Sequence, residues 1–392
     1  MSLLDTNPVI PTLILFAASL FMASLFVHKI SFFRSAIDRE VASRRFHAID
    51  GLRGFLAIAV IVHHIGINHS YYLSGLWDLT PSRLNTFLGR SAVAMFFMIT
   101  SFLFWGRAIA LNGKIDARPF YISRIRRVVP MYFLASGLLV MTALALTHFR
   151  ITVGAKELLQ QILAWLLFTI PGAPSINGLD KTYLINTVFW SLAFEWKFYL
   201  LLPLIAIFAR RYVQWIFAVV SSMLIYAFSQ TGLEWFFLFG CVTAVLVRVE
   251  WVSRVARHDL ASLLAIACLG AVLLWQPLVY SSAGASLLLV PFLIFASGNS
   301  VFGILTCRPA RMLGLISYSI YLMHNWVLYL ASRAINHFTP VANLTPIEYW
   351  LAGLMVVLAT LFLSLLTYRF VEYPLLVGPR SQARLDVKIA AN

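Results

Sequence analysis

Arg53 and His64 stand at the two ends of the stretch "RGFLAIAVIVHH", separated by Gly54, eight apolar residues and His63. In an α-helix eleven residues turn through roughly 1,100°, so the two side chains share a face about 16 Å apart along the axis. His63 points roughly 80° away from Arg53. An imidazole titrates near neutrality and is suited to taking a proton from a hydroxyl. An ionisable group at membrane depth is a functional candidate by default. Two readings stand at this point. Either the pair lines a polar shaft running from the cytoplasm toward the bilayer centre, or the arginine snorkels and the histidine bonds a neighbouring helix. A second stretch, "YISRIRRVVP" (121–130), sets Arg124 and Arg127 one turn apart, with Pro130 just beyond. The planar guanidinium fork fits phosphate, although basic residues at a span end also follow from charge statistics alone. With Arg53 they suggest an anionic ligand arriving from the cytoplasm.

The elements that must position these residues are membrane helices. Of 392 residues, 61% are hydrophobic and 11% charged, against about 25% charged in soluble domains. Long apolar runs recur along the whole chain, which fits an all-α, polytopic transmembrane helical bundle and not a barrel of short alternating strands. Crossings are expected near 9–28, 52–68, 86–106, 130–148, 186–208, 213–228, 234–248, 260–275, 280–297, 313–332 and 347–370. Basic clusters at 29–53, 107–127, Arg210 with Arg211, Arg248 to Arg257, Arg308 with Arg311, and Arg380 to Lys388 follow alternate spans. Eleven spans with the N-terminus outside put all six clusters on the cytoplasmic side of an inner membrane. The net charge of +15 is thereby a topology signal, and no nucleic-acid partner is expected. The short apolar stretch "ELLQQILAWLLFTIP", with Gln160 and Gln161 inside it, reads as an interfacial or re-entrant helix on the outer side. Cys241, Cys268 and Cys307 form no metal or disulfide pattern, and no metal site is expected. Three regions result: 1–45, a retained transmembrane anchor (Asp5 precedes it and no basic residue does) with a cytoplasmic basic linker; 46–375, the membrane domain; and 376–392, a cytoplasmic tail. No soluble domain is expected at either end.

The ordered motifs resemble the acyltransferase-3 family of integral membrane O-acyltransferases, which modify cell-surface glycans. "FHAIDGLRGFLAIAVIVHH" carries its Arg-x10-His arrangement as Arg53 and His64. "SAVAMFFMITSFLF" is similar to its Phe-Phe-x-x-Ser-Gly-Phe segment, "RIRRVVP" to its Arg-x-x-Arg motif, and "FWSLAFEWKFYLLLP" to its Trp-Ser-Leu-x-x-Glu-x-x-Phe-Tyr segment. "LGLISYSIYLMHNWVL" and "YRFVEYP" look like its closing signatures. The resemblance runs from about residue 46 to 375. It implies a ten-helix unit, here with one extra leading helix, moving an acetyl group from cytosolic acetyl-CoA (an acyl-CoA co-substrate, with no bound cofactor) to a carbohydrate hydroxyl. It also implies that His64 is the catalytic histidine, Arg53 its partner in the shaft, and Arg124 and Arg127 the candidates for the CoA phosphates.

Around this core the remaining polar residues are sorted by chemistry. Glu195, central in its run, either orients His64 or the acceptor, or forms a structural ion pair with Lys197 or an arginine. His324 is central in another run and is expected to bond a neighbouring helix, with a site role as the alternative. Asp50 lies one turn before Arg53 and would brace it. Thr100 and Ser101 stand where the family has Ser-Gly, so a side chain occupies a point of close backbone approach. Arg369 with Glu372 reads as a structural pair, and Tyr199 and Tyr318 as packing residues with a hydrogen-bonding tip. Tyr71, Tyr72 and Trp77 either anchor the interface or stack on sugar rings. Direct transfer and relay through an acetyl-histidine both fit. The competing class is an oligosaccharide transporter or exporter subunit without transfer chemistry. The expected partners are acyl-CoA, a surface glycan such as O-antigen or a lipid-linked precursor, and the bilayer.

Overall fold

Backbone groups at membrane depth must satisfy one another, because no water is available to them. The computed structural model does this with helices throughout, and it describes residues 8–41, 46–275 and 279–377. Among the described residues the β structure is a single isolated bridge between Ile176 and Leu179. The helices are α1 (Val9–Lys29), α2 (Ser31–Val41), α3 (His47–Ser74), α4 (Arg83–Ala110), α5 (Ala117–Leu146) and α6 (Ala155–Leu166). They continue with α7 (Phe189–Ile205), α8 (Val213–Phe228), α9 (Glu234–Leu246), α10 (Glu250–Arg257) and α11 (Asp259–Trp275). The last are α12 (Ser282–Ala296), α13 (Arg308–Leu315), α14 (Ser317–Phe338), α15 (Pro346–Thr367) and α16 (Tyr373–Val377). The chain is an all-α, multi-pass membrane protein.

Each of the eleven expected crossings falls on a helix. Among the described residues six are long and apolar enough to span a bilayer: α1, α3, α4, α5, the α7 stretch to Phe208, and Pro346–Leu376. The others are the shorter apolar helices α8, α11 and α12, the polar-studded α14, and α9, whose path bends by 103° into α10. Asp5, Arg44, Arg45 and residues 378–392 lie outside the described residues.

Two expectations are corrected. The basic linker is not simply a linker, because α2 docks on α13: Arg308 pairs with Asp38 at 2.6 Å, and Arg311 lies 3.8 Å from Glu40. Arg311 and Glu40 are only 4% and 6% exposed, and Arg311 also donates to His47 Nδ1 at 2.9 Å. A buried guanidinium needs such partners, and no local pattern connects residues so distant in sequence. The fourth span does not begin at Pro130. α5 starts at Ala117 and runs 30 residues, about 45 Å of helix against a hydrocarbon core of about 30 Å. Its first turns carry Arg124 and Arg127, one turn apart as expected. Pro130 removes one amide donor without ending the helix.

The chain divides into two compact units. One comprises Met1–Ile115, Lys197–Ser317 and Thr339–Leu358; the other comprises Asp116–Trp196, Tyr318–Phe338 and Ala359–Asn392. In the first unit, α3 lies against α13 and the turn before it by backbone contact. A Cβ at Gly51 would sit 1.8 Å from the Leu305 carbonyl oxygen, and one at Gly54 2.6–2.8 Å from Leu313, Ala310 and Gly314. A Cβ at Gly314 would meet the Asp50 carbonyl at 1.8 Å. Small residues let membrane helices approach this closely.

In the second unit, α6 is too short to cross, as its length and glutamines led us to expect. Gln161 accepts from the Asn177 amide at 2.8 Å, and the Trp165 indole donates to the Pro174 carbonyl at 2.9 Å. Tyr132 on α5 donates to the Trp165 carbonyl at 2.5 Å. The helix is thus tied down by the loop that follows it.

Replacing Gly51 by Ala should cost roughly 2 kcal/mol, because backbone on the far side cannot yield. Gly137, with nothing within 4 Å of its Cβ position, should gain about 0.5 kcal/mol on the same change. Thermal melts of the detergent-solubilised chain should move in opposite directions.

Candidate active site

α3 is the axis of the first unit. It is unbroken from His47 to Ser74 and mostly buried, so the eleven-residue spacing keeps Arg53 and His64 on one face. Both are half-buried on a helix whose neighbouring positions are sealed. Gly51 and Gly54 flank Arg53, so the backbone contacts that seat α3 also fix where that guanidinium emerges.

A second lock lies beside His64. The His63 Nδ1 stands 2.8 Å from the Asn85 carbonyl oxygen and therefore carries the proton and donates it. The Asn85 amide donates back to the carbonyls of Val62 and His63 at 3.3 and 3.1 Å. Thr80 donates to Asn85 Oδ1 at 3.2 Å. The fit depends on two glycines. A Cβ at Gly66 would meet the Asn85 amide at 2.3 Å, and one at Gly89 would meet the His63 ring at 2.2 Å. α3 and α4 are keyed together one residue from His64. The His64 ring itself lies 5.2 Å from that of His63 and 6.1 Å from that of Trp77.

The other candidates of this unit take different environments. Ser101 is fully buried and donates to the Phe97 and Met98 carbonyls of its own helix. The close approach at that level comes from the partner, since a Cβ at Gly240 would lie 1.9 Å from the Ser101 hydroxyl. Thr100 is half-buried. Asp50 is half-buried, and its Oδ2 has no hydrogen-bond donor among the described residues, so the expected brace on Arg53 is not made through that oxygen.

The second unit holds Arg124, Arg127, Glu195 and His324. Arg124 and Arg127 are half-buried, one turn apart on α5, whereas Arg126 is exposed. Arg124 donates to the Ser123 hydroxyl at 3.0 Å. Glu195 is half-buried on α7, in electrostatic range of Tyr321, whose hydroxyl lies 2.6 Å from that of Ser191. His324 is fully buried; its ring is 6.1 Å from Tyr321 and its Nδ1 donates to the Ile320 carbonyl at 3.1 Å. The structure thus gathers Ser191, Glu195, Tyr321 and His324, of which sequence reasoning singled out two. Ser191 is recoverable from its place one turn before Glu195.

Glu372 is buried and accepts from Ser319, which in turn accepts from Thr367 at 3.1 Å. Residues 368–372 form a π-helix, a feature frequent at functional sites. Arg369 is exposed, its guanidinium over the Phe370 ring. Tyr318 donates to the Val128 carbonyl at 2.9 Å, matching the packing role with a bonded tip. Among the described residues no group of three His, Cys, Asp or Glu is placed to hold a metal ion.

A family model for an acyltransferase domain matches residues 46–369. The chain is 24% identical over 376 residues to the peptidoglycan O-acetyltransferase OatA of Listeria monocytogenes, covering 84% of this chain and 55% of that protein. It is 23% identical over 388 residues to the O-acetyltransferase OatA of Staphylococcus aureus, covering 86% and 58%. It spans little more than half the length of these relatives. No solved structure matches it.

Asn85→Ala removes the acceptor for Thr80 and the donors to two α3 carbonyls. It should cost about 1–3 kcal/mol, read as a lower melting midpoint, with Thr80→Val costing less.

Proposed function

The chain belongs to the acyltransferase-3 family, and from that premise we propose that it is a membrane O-acyltransferase moving an acetyl or other short acyl group from cytosolic acyl-CoA to a hydroxyl of a cell-surface or lipid-linked carbohydrate. The observation that carries this reading is the pair Arg53 and His64, half-buried on one face of an uninterrupted helix otherwise largely sealed. In the reaction His64 takes the acceptor's hydroxyl proton as that oxygen attacks the thioester carbonyl. The tetrahedral intermediate collapses with cleavage of the carbon–sulfur bond, and the imidazolium returns the proton to the departing thiolate. Arg124 and Arg127 are assigned the CoA phosphates by the fork geometry of guanidinium, Arg53 the path between nucleotide and imidazole, and Glu195 orientation of the imidazole or the acceptor. An inner-membrane orientation with the N-terminus outside and the C-terminus cytoplasmic puts the basic clusters on the side where acyl-CoA is made.

The name of the Listeria relative points to peptidoglycan, so a β-1,4-linked N-acetylglucosamine pentamer is the first acceptor to assay. With purified chain and labelled acetyl-CoA, His64→Ala should lower transfer at least a hundredfold, a loss on the order of general-base catalysis. Arg124→Ala combined with Arg127→Ala should raise the KM for acetyl-CoA about tenfold, as loss of charge-assisted phosphate bonds requires. Glycan movement that persists in His64→Ala, with no acetyl-CoA bound by the unaltered chain, would establish the transporter class instead. Labelled acetyl retained on the protein in the absence of acceptor would replace direct transfer by a relay through His64.

A further inference from the structure

Trp77 packs back toward His64 and does not extend beyond the end of α3. Ten residues of α3 separate His64 from the helix end, about 15 Å of rise, yet the Trp77 ring lies 6.1 Å from the His64 ring with the planes only 23° apart. The chain therefore doubles back. Gly75, at φ 74°, ends α3 in the left-handed conformation and turns the chain. The returning loop is tied at both ends: the Leu76 amide donates to Ser74 Oγ at 3.2 Å, and buried Thr80 donates to Asn85 Oδ1.

Tyr71, two turns beyond His64 on the same face of α3, holds the indole from the side, its ring 6.0 Å away at 61°. Arg53, His64 and Tyr71 thus form one stripe along the helix, and Trp77 folds onto its far end. Trp77 is half-buried, and its indole presents an apolar aromatic face with one N–H donor on its edge.

We infer that Trp77 is the acceptor platform: the C–H face of a pyranose ring packs on the indole, the indole N–H donates to a ring substituent oxygen, and one sugar hydroxyl is thereby presented to His64. The inference rests on the proposed acyl transfer at His64 and adds to it the residue that recognises the sugar. An aromatic face with a polar edge suits a pyranose, which has an apolar face and a polar rim, and does not suit a charged or extended acceptor.

The test is steady-state kinetics of the full chain in lipid nanodiscs, with acetyl-CoA as donor and the N-acetylglucosamine pentamer as acceptor. Trp77→Ala should raise the acceptor KM about tenfold, with the KM for acetyl-CoA held within about twofold, the signature of a lost acceptor contact. Trp77→Tyr should recover most of the loss and Trp77→Leu should not, since leucine fills space without a π face. This second pair decides the matter even if the alanine variant fails to fold. An unchanged acceptor KM in Trp77→Ala, equal performance by the leucine and tyrosine variants, or parallel rises for both substrates would each overturn the platform. Failure of the unaltered chain to acetylate the pentamer would instead count against the proposed reading for this sugar class, a result independent of Trp77.

Discussion

Helices inside a bilayer gain little from burying apolar side chains against each other, because lipid tails are equally apolar. What holds α3, and with it Arg53 and His64, is close approach at glycines, to backbone at the level of Arg53 and to the Asn85 and His63 side chains beside His64. Gly51 and Gly54 admit the carbonyls and backbone of the Leu305–Gly314 segment, Gly314 admits the carbonyl of Asp50, and Gly66 and Gly89 admit Asn85 and His63. These contacts grip the helix at the level of Arg53 and again beside His64. Dispersion between closely packed atoms is weak singly and large in sum, and a backbone wall cannot move aside as a side chain can. Glycines thus seat α3 at the level of Arg53, and glycines together with the Asn85 hydrogen bonds seat it beside His64.

Against that frame, the polar residues divide by environment. His63, Ser101 and His324 are buried and donate to backbone carbonyls of their own or an adjacent helix. Arg311 and Glu372 are buried with a carboxylate or hydroxyl partner. Each of these groups has a hydrogen-bond or ion-pair partner, which a desolvated polar atom requires; His63 and Arg311 find theirs on another helix, Ser101 and His324 on their own. Arg53, His64, Arg124, Arg127 and Glu195 are half-buried. Adjacent residues of one type differ in burial: His63 is buried against Asn85, while His64 is half-buried with its ring 6.1 Å from that of Trp77.

The sequence was most legible where periodicity and charge act locally. Each of the eleven apolar runs falls on a helix, the Arg53–His64 register survived because α3 has no break, and the stretch with Gln160 and Gln161 forms the short helix α6. It was least legible where distant segments meet. Nothing near Glu40 announces Arg311, nothing near Asn85 announces the carbonyls of Val62 and His63, and nothing near Glu372 announces Ser319. Pro130, where the fourth crossing was expected to begin, lies inside α5. A proline tolerated mid-helix looks, in sequence, like one that begins a helix. For Ser101, the family comparison put the small residue on the same helix, whereas here Gly240 on α9 supplies the close approach.

The extension of α5 through Pro130 changes what the two arginines can do. On a loop, their guanidinium groups would sample many separations, and ordering them around an anion would cost side-chain and backbone entropy together. On a continuous helix, residues three apart stand about 4.5 Å from each other along the axis, on nearly the same face. The backbone part of the ordering cost is then met by folding and not by binding, which is how preorganisation strengthens recognition of a polyanion. Exposed Arg126 points elsewhere on the same turn, where it adds charge without belonging to the pair. The spacing of Arg124 and Arg127 is thus a property of the fold, set before any anion binds.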